Sequence, residues 1–322
     1  MLRKFTIAAM CLCTACLPLF GCGTKGSGAD DNKLKIVCTI FPEYDWVNNL
    51  LGDHAEDANV TYLMKGGTDL HNFQPSADDI ISISDCDLFI YVGGESDSWA
   101  EDALETAINE DMQVIKLLDA IGDSAVAEEL VPGMAAAEED EDEDAFDEHV
   151  WLSLKNAEVI CSCITDKLCA ADKDNAEDYR NNLTSYTEKL NALDMQFEEM
   201  LGSAASHTLI FGDRFPFRYF TNDYSLEYYA AFPGCASQSD IPFETVIALA
   251  NRIDETHSDT IFILEGTDPS MAETIISNTE AKNASIAVLD SLQSVSDSDI
   301  ESGKTYLSAM QNNYDILKEA LN

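Results

Sequence analysis

Cationic side chains are in short supply in this sequence. Lys and Arg number 18 against 60 Asp and Glu, a formal net charge of −42 over 322 residues. A chain so charged repels nucleic-acid phosphates and gathers cations around itself, so no nucleic-acid partner is expected. Histidine is scarcer still, with five residues: His54, His71, His149, His207 and His257. Five scattered imidazoles argue for no Ser-His-Asp or Cys-His catalytic set. HExxH, GxSxG and Walker A motifs are all missing. Gly303-Lys304-Thr305 has the tail of a phosphate-binding loop, but Ser298 stands where its first Gly belongs, and Gly93-Gly94-Glu95 opens no GxGxxG frame. Of ten cysteines, Cys11, Cys13, Cys16 and Cys22 belong to the N-terminal segment. The other six, Cys38, Cys86, Cys161, Cys163, Cys169 and Cys235, contain no CxxC pair. They read as small buried apolar residues, and spacing alone assigns no disulfide.

What the sequence does have begins with an export signal. Arg3 and Lys4 precede a short apolar run from Phe5 to Phe20, and Leu19-Phe20-Gly21-Cys22 follows. A charged start, a short apolar stretch and a small residue before a cut site form a secretory signal, too short and Pro-interrupted for a membrane span. The last four residues resemble a lipobox, with Phe20 an unusual occupant. That resemblance implies residues 1–21 as signal peptide, cleavage before Cys22 and lipid on the Cys22 thiol; the alternative is plain secretion with Cys22 a bystander. Residues 22–33, rich in Gly, Ser and Asp, read as a flexible tether. No other stretch is long and apolar enough to span a bilayer.

Beyond the tether, short β-branched runs alternate with helical stretches. Leu34 to Phe41, Val60 to Met64, Asp87 to Val92 and Val114 to Leu118 read as strands, with helices after Pro42, from Ser76 to Ser84 and from Asp97 to Asn109. This is the pattern of βα units and a mainly parallel sheet. It breaks at residues 122–148, a segment that contains the near-continuous acidic run AAAEEDEDEDAFDE and reads as a loop. From Glu177 to Leu201 the apolar residues Tyr179, Leu183, Tyr186, Leu190, Leu193, Phe197 and Met200 recur in steps of four and three, one stripe on a long helix. A second series follows: strands at Thr208 to Phe211, Leu226 to Phe232, Thr260 to Leu264 and Ser285 to Leu289, and a closing helix from Thr305 to Leu321. The expected fold is α/β: two lobes, each a mainly parallel sheet flanked by helices, joined by one long rigid helix. The expected boundaries are 34–172, 173–203 and 204–322.

Chemistry in such folds gathers at strand C-termini. His71 follows the strand ending near Met64 and precedes the Ser76 helix, and His149 closes the acidic loop. An extended segment would put His149 and Trp151 on one face. In the second half Asp213, Glu265 and Asp290 each come directly after a predicted strand. Imidazole with carboxylate makes a mixed N/O site for zinc, manganese or iron. The plainer reading is open too: a lone His is usually hydrogen-bonded, and Asp after a strand often caps a helix. His54 looks like a turn residue, His207 opens a strand and His257 ends a helix.

The matching segments come in a recognisable order. Thr39-Ile40-Phe41-Pro42, then Lys65 to Ser76 around His71, Gly94-Glu95 with Trp99, His149-Val150-Trp151-Leu152, Leu264-Glu265, Leu289-Asp290-Ser291-Leu292 and Tyr306 to Met310 together resemble the zinc and manganese receptor family of ABC-transporter substrate-binding proteins. The resemblance runs from about Lys35 to the C-terminus. It implies metal held between two lobes by His71, His149, a third ligand and Asp290, with Glu265 beside them or as an alternative ligand. It also implies a Zn2+ cargo (alternative Mn2+) and an ABC permease as partner. The protein itself would be a monomer, extracytoplasmic, anchored to the membrane as a lipoprotein, and not an enzyme. One departure stands out. An ungapped match puts Arg214 at the third ligand place, and a guanidinium, always protonated, cannot ligate a metal; its neighbour Asp213 is the expected substitute. In place of the family's often His-rich variable loop stands the acidic one, either a cation collector or a solvated insert. A secreted metal-dependent hydrolase would need an open coordination position and a base, for which only Glu265 offers itself, and no residue argues for an adhesin.

Overall fold

The computed structural model describes residues 33–135, 145–235 and 241–322; the signal segment, Cys22 and the centre of the acidic loop lie outside these. Strand β1 (Leu34–Cys38) leads through α1 (Phe41–Leu51) to β2 (Ala58–Tyr62), then α2 (Ala77–Ser84), β3 (Leu88–Tyr91), α3 (Trp99–Glu105), β4 (Gln113–Lys116) and α4 (Leu117–Ile121). Two long helices follow, α5 (Leu154–Ala171) and α6 (Ala176–Gly202). The second half runs β5 (Thr208–Phe215), α7 (Arg218–Tyr224), β6 (Glu227–Pro233), α8 (Phe243–Thr256), β7 (Thr260–Leu264), α9 (Ser270–Ser277), β8 (Ser285–Leu289), α10 (Asp297–Glu301) and α11 (Tyr306–Ala320). No helix among the described residues is long and apolar enough to cross a membrane.

Each half builds one four-stranded, wholly parallel sheet, in the orders β2-β1-β3-β4 and β6-β5-β7-β8. The two orders are the same topology used twice, a repeat the sequence does not display. In both, the chain leaves the first strand to one side and returns to the other. The C-terminal ends of β1 and β3, and of β5 and β7, are therefore the switch points where such sheets hold ligands.

Local chemistry sets these elements. Ser76 caps α2, accepting from Asp79 N at 3.2 Å while the Asp79 carboxylate returns to Ser76 N at 2.8 Å. Helix α6, 27 residues and about 40 Å long at 1.5 Å per residue, buries six of the seven stripe residues, with Leu183 half-buried. Along that face it meets α1 and α5 from the first half and α7 and α11 from the second. One apolar core runs continuously from Ile36 and Phe89 to Phe211, Phe262 and Leu289. The two sheets are thus packed as one body, and the long helix is a spine rather than a tether.

Two expectations change. Strand β5 does not stop at Phe211 but continues to Phe215, with a register break against β6 between Phe211 and Arg214. The bulge carries Asp213 into the protein, because an extra residue in a strand turns the next side chain. The segment after the acidic run is not extended either: His149 caps a 3₁₀ turn over Val150–Leu152. The flanks of the acidic run are ordered, with Ala127 bridged to Phe146 and Ala135 N donating to Ala231 O at 2.9 Å.

Candidate metal centre

The strand ends of both sheets face a cleft of about 730 Å³, lined by His71, Ser96, Arg214, Cys235, Glu265 and Lys304 among others. At its wall stands His71, and behind it the buried His149, their Nε2 atoms 3.2 Å apart. Two nitrogens sharing one tetrahedral zinc at about 2.0–2.1 Å would be about 3.3 Å apart. The pair already has the spacing of two ligands on one ion.

Each imidazole is aimed by its other nitrogen. His149 is fully buried, and its Nδ1 lies 3.0 Å from Asp147 Oδ1, which also accepts His149 N at 2.8 Å. His71 Nδ1 meets Ser96 Oγ at 2.7 Å and stands 3.6 Å from Glu148 Oε2. A carboxylate or hydroxyl on one ring nitrogen fixes the tautomer that offers the other to a metal. The surroundings pull the two rings apart electrically. Burial, His149 and Arg214 hold the His71 pKa well below the ordinary imidazole value. Burial alone would lower His149 too, but Asp147, Glu148 and Glu128 outweigh it and raise that ring. The two Nε2 atoms face each other at hydrogen-bond distance, and a cation entering between them must displace any proton held there.

Behind the rings the protein stores negative charge. Glu148 Oε1 accepts Ser96 N at 2.8 Å, but its buried Oε2 makes no hydrogen bond. Gly94 is required here, since a Cβ would overlap the Glu148 carboxyl. Asp97, in the loop between β3 and α3, is buried and accepts Val92 N at 2.8 Å and Gly93 N at 2.9 Å.

The expected carboxylates stand differently. Asp213 is not brought to the pair: its Oδ1 accepts Arg214 N at 2.7 Å and its Oδ2 accepts Leu264 N at 3.1 Å, so it ties β5 to β7. Arg214 does reach the cleft, where its Nη2 donates to Asp69 Oδ2 at 2.7 Å. That ion pair neutralises the cation at the place where a third ligand was expected. Glu265 lines the cleft wall and accepts Ser291 N and Ser291 Oγ, each at 2.7 Å; burial and then Asp290 push it up to about 7. Asp290 sits beside it with Oδ2 2.5 Å from Lys304 Nζ. The other three imidazoles lie elsewhere: His54 pairs with Asp178 at 3.0 Å, His207 is exposed just before β5, and His257 caps α8 in a left-handed conformation.

Sequence reasoning missed Cys235. One donor atom each from His71, His149 and Cys235 lies within 4.8 Å of the others, a group made by three separate loops. The available signal was its place: Phe232-Pro233-Gly234-Cys235 closes β6 just as His71 and Glu265 follow β2 and β7. Gly234 permits the approach, because a Cβ there would stand 2.8 Å from His149 Cε1 and 2.9 Å from Phe215 O.

Fold and site together define a two-lobed α/β protein with a cleft of imidazole, thiol and carboxylate donors at facing strand ends. The family model for zinc-uptake complex component A, periplasmic (ZnuA) matches residues 36–320, and the chain belongs to that family. It is 29% identical over 324 residues to the zinc-binding lipoprotein AdcA of Streptococcus pneumoniae serotype 4, covering 99% of this chain and 61% of that protein. The chain thus spans less than two thirds of that relative. It is 27% identical over 330 residues to the high-affinity zinc uptake system protein ZnuA of Bacillus subtilis (strain 168), covering 98% and 96%. Among solved structures, the Zn(II)-bound ZnuA-like domain of Streptococcus pneumoniae AdcA superposes with a TM-score of 0.70 at 29% identity, over 90% of this chain and 99% of that one.

Proposed function

We propose that this protein captures a divalent transition metal, zinc, between its two lobes and delivers it to a membrane ABC importer. The observation that carries this is the pair of imidazoles facing each other at 3.2 Å, each locked from behind by Asp147 or Ser96. His71 and His149 hold the ion; Glu265, on the cleft wall, and Asp290 beside it are the carboxylates at hand to complete its shell. The zinc named for the streptococcal and Bacillus relatives supports the choice of ion. The role is binding rather than catalysis, the protein acts as a monomer, and a lipid on Cys22 holds it outside the cell membrane. Because one apolar core spans both sheets, capture needs only side-chain and loop movement, and closure of whole lobes is small.

Competition of the purified protein with a chromophoric zinc chelator tests the reading. Zinc is expected to bind at one equivalent, and His71→Ala or His149→Ala to weaken it by at least about 100-fold, the loss of one ligand of four (~3 kcal/mol). Unchanged affinity in both variants would refute it.

A further inference from the structure

We propose that Cys235 is itself a metal ligand, its thiolate joining the imidazole nitrogens of His71 and His149 in a mixed nitrogen–sulfur donor set that favours zinc and other thiophilic divalent ions over manganese. The proposal rests on the metal-capture reading above and assigns it a third donor where the expected position holds Arg214.

Three independent placements converge on it. The sulfur shares a common 4.8 Å neighbourhood with an imidazole nitrogen from each His. The loop that carries it is held close: Cys235 N donates to Glu128 Oε1 at 3.0 Å, and glycine at 234 lets the backbone lie against His149. A tetrahedral ion with sulfur at about 2.3 Å and nitrogen at about 2.0 Å sets N···S separations near 3.5 Å, so atoms already within 4.8 Å of one another close the set with a shift of at most about an ångström.

The surrounding charge favours a cation at the same place. Glu148, 2% exposed, keeps one carboxylate oxygen without a hydrogen bond, 3.6 Å from the His71 ring. Asp147 stands on the opposite side of the imidazole pair at His149 Nδ1. Arg214, the guanidinium beside them, is paired to Asp69. A buried carboxylate with one oxygen left without a hydrogen bond is costly unless a cation stands near it, and a dication between the rings is placed to do so. Cys235 is also unlike the other described cysteines. Cys38, Cys86, Cys161 and Cys169 are buried in the core and Cys163 lies on α5, whereas Cys235 lines the cleft. As the metal–sulfur bond forms, the sulfur lone pair goes to the ion and the thiol proton leaves to water. Thiolate is a soft donor, matched to zinc and cadmium and poorly matched to manganese.

Cadmium loading of the purified protein reads the bond directly. One equivalent of Cd2+ is expected to raise a sulfur-to-cadmium charge-transfer absorption, lost in Cys235→Ser. The same variant should bind zinc about tenfold or more weaker while its manganese affinity stays within about twofold. Alkylation of the wild-type chain by iodoacetamide, mapped by peptide mass spectrometry, decides the matter even if the variant does not fold: zinc should protect Cys235. Cadmium bound without the absorption, or zinc bound without protection, overturns the thiolate ligand and leaves capture by the two imidazoles standing. A wild-type chain that binds neither ion overturns both.

Discussion

Asp97 should make its burial visible as a pH-dependent stability. It is fully buried and accepts backbone N–H groups from Val92 and Gly93. Burial first, then the Glu148 charge, raises its pKa from 3.8 to about 7. A raised folded pKa means that the native state holds the proton more tightly than the unfolded chain. The contribution is complete below pH 3.8 and is lost as pH rises through about 7. At about 1.4 kcal/mol per pK unit, lowering the pH from about 8 to about 5.5 protonates the folded carboxyl across roughly one and a half units and stabilises the protein by ~2 kcal/mol. Asp45, raised by burial to about 6, adds a smaller amount in the same direction. Asp97→Asn keeps an oxygen for the two N–H donors but has nothing to titrate. Urea unfolding of the chelator-treated protein at the two pH values, wild type against Asp97→Asn, is the assay. The wild type should gain ~2 kcal/mol more than the variant on acidification. Parallel pH profiles for the two proteins would mean that Asp97 does not hold its proton more tightly in the folded state.

Three further outcomes follow from contacts around the cleft and spine. Gly234→Ala puts a methyl 2.8 Å from His149 Cε1; displacing a ring whose position is set by its supports should weaken zinc about 10-fold or more in a chelator competition, with secondary structure unchanged by circular dichroism. Trp151→Phe loses the indole N–H donated to Ser291 O at 2.9 Å across the two halves, and denaturant unfolding should register ~1–3 kcal/mol, the cost of a buried acceptor left unmet. Phe197→Ala empties the site where α6 meets Phe220, Tyr224 and Tyr314, and should cost about 3–5 kcal/mol in the same measurement.

The alternation of β-branched runs with helical ones carried the two-sheet architecture into view, and the three-four spacing from Tyr179 to Met200 carried the spine. Both are periodic signals repeated over many residues, which is why they survive local exceptions. His71 and His149 stood out for a different reason: in a chain with five imidazoles, one follows a strand and the other closes the acidic loop. Their mutual distance was not legible, because 78 residues separate them and the sheet packing brings them together. Asp213 illustrates what a one-residue event does. The bulge within Phe211–Phe215 leaves hydropathy unchanged yet turns the carboxylate from the cleft to the β7 backbone. Arg214 and Asp69, 145 positions apart, find each other through the same turn. Cys235 carries no periodic mark and sits in no CxxC; only the convergence of three loop ends in space gives it meaning.

The most direct test of the central claim is the metal content of the natively purified protein, measured by mass spectrometry after zinc and manganese have competed for it. About one zinc per chain and little manganese are expected, with the zinc lost in the His71→Ala, His149→Ala double variant. Absence of bound metal from the wild type, or zinc retained at full occupancy by the double variant, would contradict it.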